Sequence, residues 1–118
     1  MTQLLILADD FTGALDTGVQ FASTGAVTRV ITGQDVSLKE YAGTCEVLVV
    51  DAETRHLTAG EASDIVGDYT TQAVELGIPF LYKKTDSALR GNLGAELQGV
   101  LDGTGQTRLH LIPAFPIL

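Results

Sequence analysis

Three short polar clusters carry the residue types that could do chemistry. They are Asp9-Asp10-Phe11-Thr12-Gly13, Asp51-Ala52-Glu53-Thr54-Arg55-His56, and Lys83-Lys84-Thr85-Asp86-Ser87 running on to Arg90-Gly91-Asn92. Adjacent carboxylates suit acid–base work or the holding of a hydroxyl, with Asp10 the expected base or hydroxyl acceptor. Of the seven lysines and arginines, four (Arg55, Lys83, Lys84 and Arg90) lie in these clusters. Arginine can grip a carboxylate with two parallel hydrogen bonds and lysine supplies a point charge, so a small anion is the implied ligand. Asn92 opening a helix would add free N–H groups at its positive end. Each feature also has a plain structural use: Asp9 could cap the helix that follows, Lys83-Lys84 could be a strand-end charge pair, and Thr85-Asp86-Ser87 could be a turn. Asp16, farther into that helix, reads as solvated surface.

These clusters are placed by alternating short apolar runs and longer amphipathic stretches. Leu4–Ala8, Val27–Ile31, Val47–Val50, Ile78–Tyr82 and Leu109–Ile112 read as buried strands. Helices are expected over the Phe11, Leu15, Val19, Ala22 stripe and over Ala62 to Leu76, which opens with a capping-box spacing at Thr58 and Glu61. A third is expected from Leu93 to Leu101, with Asn92 as cap and Gly103 as stop. The polar stretch 32–46 reads as a loop with a short helix around Leu38–Tyr41. Strands alternating with helices predict a three-layer α/β fold: a mostly parallel, doubly wound sheet of about five strands with helices on both faces. In such sheets ligands bind beyond the carboxyl ends of the strands, which is where all three clusters fall.

Composition narrows the function classes. The 118 residues carry a net charge of −8, which speaks against nucleic acid and anionic membrane as partners. No apolar run approaches a membrane span, and the single Cys45 leaves no internal disulfide, so a cytoplasmic protein is expected. Cys45 has no activating neighbour in sequence. His56 and His110 have no partner at metal-ligand spacing, so no metal site is expected. No Walker-type or Gly-x-Gly-x-x-Gly phosphate motif is present, so no nucleotide site is expected within this chain.

The segments Leu7–Ala14, Asp51–His56, Tyr82–Asn92 and Ile112–Pro116 together resemble the four-carbon acid sugar kinases, in family order and over essentially the whole chain. The resemblance implies ATP-dependent phosphorylation of compounds such as erythronate, threonate or 3-oxo-tetronate. It also implies an amino-terminal domain for the acid sugar and a carboxyl-terminal domain for ATP. Residues 1–118 are similar to the front part of the first; the ATP-binding domain, and with it ATP and Mg²⁺, would lie outside this chain, and the fragment alone is expected to be inactive. Carried over by motif, Asp9 and Asp10 would face sugar hydroxyls. Arg55, Lys83, Lys84 and Arg90 would hold the carboxylate or neutralise the transferring phosphoryl group, and Asp86, Ser87 and Gly91 would shape the pocket. Asp10, Lys84 and Arg90 are the expected catalytic set. Self-association through an open edge is a further expectation.

Two other readings fit parts of the pattern. A phospho-accepting receiver domain would use Asp51 as acceptor and Asp9-Asp10 as magnesium ligands, but Ile112 stands where a lysine would precede Pro113. A non-catalytic acid-sugar binding module would keep the same pocket without transfer chemistry.

Overall fold

The computed structural model describes residues 1–33 and 35–112. Four strands form one sheet: β1 (Leu4–Ala8), β2 (Thr28–Thr32), β3 (Val47–Asp51) and β4 (Phe80–Lys84). Their order is β2-β3-β1-β4, and every pairing is parallel. Three α-helices follow strands β1, β3 and β4: α1 (Phe11–Ala22), α2 (Ala59–Glu75) and α3 (Leu93–Thr104). A 3₁₀ turn at Leu38–Glu40 lies between β2 and β3.

Strand alternation divides the apolar residues between two layers. Leu5, Leu7, Leu48 and Val50 point to the face covered by the 3₁₀ turn and α2, where they meet Leu38, Val66 and Tyr69; Val100 of α3 packs there too. Ile6, Ala8, Val47 and Val49 point to the opposite face, against Ala14 and Phe21 of α1. The central strands β1 and β3 are buried almost throughout, as a parallel sheet covered on both sides requires.

Local sequence explains where the elements begin and stop. Asp10 is the N-cap of α1 and accepts from the Gly13 N–H at 2.8 Å. Thr58 caps α2 by accepting from the Glu61 N–H at 3.2 Å, and its hydroxyl donates to the Glu61 carboxylate at 2.8 Å. Gly103 does not stop α3. The helix runs on to Thr104 and ends at Gly105, whose φ of +70° is the left-handed conformation that closes helices. Gly103 serves packing instead: a Cβ there would sit 2.7 Å from Thr70 Cβ, and one at Gly99 would sit 2.6 Å from the Ser63 carbonyl. α2 and α3 thus lie closer than larger side chains would allow.

Two further expectations change. The expected fifth strand, Leu109–Ile112, forms no strand among the described residues. Leu109 is half-buried, but Leu111 and Ile112 are exposed among the described residues, unlike the residues of a buried strand. The fourth strand starts at Phe80, after Pro79, and extends through Lys84, so Lys83 and Lys84 belong to the strand rather than the loop after it. The stripe Phe11, Leu15 and Val19 also faces outward; α1 packs on the sheet through Gly13, Ala14 and Gly18. The Ile112–Pro116 motif extends beyond the described residues.

Candidate functional site

Because the strands are parallel, their carboxyl ends share one edge. Ala8 is in register with Asp51 on one side and Lys84 on the other. Beyond β1 the chain turns to the α1 face, while beyond β3 and β4 it turns to the α2–α3 face, which opens a crevice at the end of β1. Asp9 and Asp10 stand at its mouth.

Arg55 is the hub of the crevice. Its Nε and Nη2 donate to the two oxygens of Asp9, both at 3.1 Å. Its Nη1 lies 3.1 Å from Asp10 Oδ2, and its Nη2 lies 3.3 Å from Asp86 Oδ1. The bond to Asp9 and the surrounding carboxylates raise the Arg55 pKa further, against the opposing effect of burial. Asp9 is only 3% exposed, so its two oxygens are given over to Arg55. Asp10 is partly open at its side chain, 27% exposed, with Oδ1 on the helix cap and Oδ2 toward Arg55. The capping role considered for Asp9 therefore falls to Asp10, the residue directly before the helix.

Asp86 joins the two arginines. Arg90 grips it with two hydrogen bonds, Nε to Oδ2 at 2.8 Å and Nη2 to Oδ1 at 2.9 Å. The backbone N–H groups of Ala88 and Arg90 also donate to Oδ2. The Arg90 guanidinium first, then these N–H groups, hold the Asp86 carboxyl well below the usual carboxylate range. Arg90 stays largely exposed while Asp86 is buried. Gly91, at φ +91°, passes directly over Arg55; a Cβ there would lie 3.2 Å from Asp9 Oδ2 and 3.3 Å from Arg55 Cγ. Only glycine combines that backbone angle with that approach.

The two lysines part company. Lys84 turns to the α1 face, and a Cβ on Gly13 would stand 3.7 Å from its Nζ. Its ammonium donates to the Thr85 carbonyl, and it has no carboxylate partner among the described residues. Lys83 turns to the other face and is buried, with Nζ 3.3 Å from Glu96 Oε1 and 2.9 Å from the Lys84 carbonyl. This departs from its expected place among the ligand-facing cations, because strand alternation sends neighbours to opposite sides. Ser87 is exposed on the loop after β4.

Asp51 ends β3 beneath this crevice and is 2% exposed. It accepts from the Glu53 N–H at 3.3 Å, and Glu53 itself sits at φ +51°. Burial above all, then Glu53 and the charge of Asp10, push the Asp51 carboxyl up to about 7. Glu96 was not marked by sequence pattern, Thr54 stood in the second cluster without a role, and Asn92 was expected only as the residue opening α3. The Asn92 side chain makes no cap hydrogen bond, and all three instead join in a network behind Arg55. Glu96 reads in sequence as an ordinary acid in the first turn of a helix, and no local spacing links it to Lys83 or Thr54. Among the described residues no group of His, Cys, Asp or Glu side chains converges as metal ligands, and no helix is long and apolar enough to cross a membrane. A separate cleft of about 420 Å³ lies between β4, α3 and residues 106–112. Leu81, Leu97, Val100, Leu101 and Leu109 give it mainly apolar walls, so it suits an acid less well than the charged crevice.

A parallel sheet with buried acids, arginines and, among the described residues, a lysine without a carboxylate partner at its carboxyl edge defines an α/β domain. The chain belongs to the family of sugar-binding N-terminal domains, whose model matches residues 4–118. It is 37% identical over 113 residues to a D-threonate kinase of Salmonella typhimurium, covering 95% of this chain and 26% of that protein. It is 34% identical over 118 residues to a D-erythronate kinase of Heliobacterium modesticaldum, covering 98% of this chain and 27% of that one. A crystal structure from Bordetella bronchiseptica, of a domain of unknown function with bound citrate in a domain-swapped dimer, superposes with a TM-score of 0.77 at 37% identity. That match covers 84% of this chain and 26% of the other. The chain thus spans about a quarter of the length of the relatives it matches. The strand order also separates it from receiver domains. Here β1 lies between β3 and β4, whereas the 2-1-3-4-5 order of receivers puts the first strand between the second and third.

Proposed function

We propose that this chain is the front part of the acid-sugar-binding domain of an ATP-dependent four-carbon acid sugar kinase. The observation that carries this reading is the pairing, at one crevice, of an ammonium that has no carboxylate partner among the described residues and a partly open carboxylate. Lys84 supplies the first and Asp10 the second. A tetronate presents one carboxylate and several hydroxyls. Lys84 and the exposed Arg90 meet the carboxylate, while Asp10 accepts from a hydroxyl and orients it for phosphoryl transfer. Arg55 is committed to Asp9, Asp10 and Asp86, so its role is to hold the acids in place while keeping the crevice electrically balanced. Asp86 and Gly91 keep the two arginines in position, and Ser87 stands at the rim.

ATP and Mg²⁺ belong to the activity named for the relatives, and the residues described here do not fit either group. The carboxylates are engaged by arginines or by backbone N–H groups rather than converging on a cation, and the sequence offers no phosphate-binding loop. We assign both to the part of the relatives' length that this chain does not span. Citrate in the Bordetella relative is a carboxylate-rich acid, which agrees with an anion-binding role for the domain.

Calorimetry of the chain against D-threonate, D-erythronate and 3-oxo-tetronate tests the reading. Binding of at least one acid, lost in Arg90→Ala and insensitive to the corresponding neutral sugar alcohol, is the expected result. No heat with any of the three at millimolar concentration would refute it.

A further inference from the structure

Behind Arg55 lies a buried polar network that none of the ligand-facing roles uses. Glu96, in the first turn of α3, is 2% exposed. Its Oε1 accepts from the Thr54 hydroxyl at 2.6 Å and lies 3.3 Å from Lys83 Nζ. Thr54 is fully buried and directly precedes Arg55. Four residues before Glu96, Asn92 donates from Nδ2 to the Thr54 carbonyl at 3.2 Å and to the Leu57 carbonyl at 2.7 Å. From the other side the Arg55 N–H donates to the Asp9 carbonyl at 3.3 Å. The loop that delivers Arg55 is therefore fastened to the start of α3 and to the end of β1, with β4 joined indirectly through the Lys83–Glu96 pair.

We infer that Glu96 is a positioning residue for Arg55, acting through Thr54, with Lys83 as the counter-charge that makes its burial tolerable. An apolar core would hold α3 against β4 equally well, and a buried ion pair contributes little net stability. What the charged pair adds is direction. Glu96 offers Thr54 a fixed, charge-assisted acceptor, and the Thr54 backbone sets where the next side chain starts. Arg55 then reaches three carboxylates from three different segments, a geometry that a small shift of the loop would break. The same turn of α3 supplies Asn92 to the loop's carbonyls, so one helix start fixes both ends of the Arg55 loop.

The inference rests on the proposed ligand role for its functional meaning, but its test does not need a ligand. In nitrogen-15-labelled chain, the Arg55 Nε–H is donated to buried Asp9 and should give a resolved, slowly exchanging signal. Thr54→Val replaces the hydroxyl by a methyl of similar size, and Glu96→Ala removes the acceptor. Both are expected to speed exchange of that proton about tenfold or more, the size of one ordinary hydrogen bond, with the methyl spectrum of the core unchanged. Glu96→Gln, which keeps an acceptor for Thr54, is expected to retain most of the protection. If Glu96→Ala does not fold, Thr54→Val decides alone. An unchanged Arg55 Nε–H in folded Thr54→Val overturns the inference. If the native chain binds no tetronate and Thr54→Val still moves Arg55, the positioning role stands and the ligand reading alone falls.

Discussion

Lys83 and Lys84 are neighbours on one strand, yet the two faces of the sheet use them in opposite ways. On the α2–α3 face, Lys83 is buried against Glu96, and its charge is spent on holding elements together. On the α1 face, Lys84 lies beside the start of a helix, and among the described residues its ammonium has only a backbone carbonyl as partner. The same contrast separates Asp9 from Asp10: the first is sealed under Arg55, the second keeps an open side. A pair of identical residues at a strand end thus divides into a framework group and a more open one. For the lysines strand alternation decides which is which, while Asp9 and Asp10 lie just beyond β1 and are divided by the grip of Arg55 and the start of α1.

If this division is right, its framework half should fail first under substitution. Lys83→Met leaves the Glu96 carboxylate buried without its counter-charge. A loss of about 3–5 kcal/mol in unfolding free energy is expected, measured by urea denaturation. Lys83→Met combined with Glu96→Gln should recover most of it, because the stranded charge is gone. A single variant as stable as the native chain would erase the distinction between the two lysines.

Next in size is a pH effect at the floor of the crevice. Asp51, with its carboxyl pushed up to about 7, binds its proton more tightly folded than unfolded. Stability from this group is therefore present at low pH and is lost as pH rises from about 4 through about 7. Asp86 has the opposite sign: held below its usual range, it contributes stability above that range that is lost in acid. Asp51→Asn should flatten the decline on the alkaline side and leave the variant more stable than the native chain at pH 8 by up to a few kcal/mol. Equal slopes in the two proteins between pH 5 and pH 8 would mean that Asp51 ionises freely.

Much of this was legible in the sequence, and the gaps have physical causes. The parallel sheet, the three helices and the gathering of the charged clusters at one edge follow from apolar runs and alternation alone. The orientation of α1 does not. Phe11, Leu15 and Val19 repeat every fourth residue, as a core stripe would, but Gly13, Ala14 and Gly18 form a second stripe of small residues, and that one lets the helix approach the sheet. Gly103 looked like a helix stop for a similar reason: a glycine near a helix end can serve a turn or a close contact, and only the neighbouring helix tells which. In the site, residue types were legible and partners were not. Arg55 draws on carboxylates at positions 9, 10 and 86, and Glu96 on groups at 54 and 83, separations that no local spacing records.

Smaller effects test the open half of the division. Asp10→Ala removes the cap of α1, for an expected loss of about 1 kcal/mol in stability, far below that of Lys83→Met. Tetronate binding should weaken as well, since the same carboxylate serves the ligand. A loss comparable to Lys83→Met would place Asp10 with the framework.

The sharpest separation comes from the variant with the smallest effect on the fold. Lys84→Met keeps the aliphatic stem on β4 and removes a charge that neutralises no carboxylate among the described residues. Its unfolding free energy should stay within about 0.5 kcal/mol of the native value. Tetronate affinity should nevertheless fall about tenfold to a hundredfold, the span of one charge-assisted hydrogen bond. Lys84→Arg should recover only part of that loss, because a planar fork cannot take the place of a compact ammonium beside Gly13 without shifting its neighbours. Lys83→Met and Lys84→Met would then form a crossed pair, one losing stability and the other losing ligand. A Lys84→Met chain that is destabilised like Lys83→Met, or that binds tetronate as the native chain does, would show that the two faces are not divided in this way.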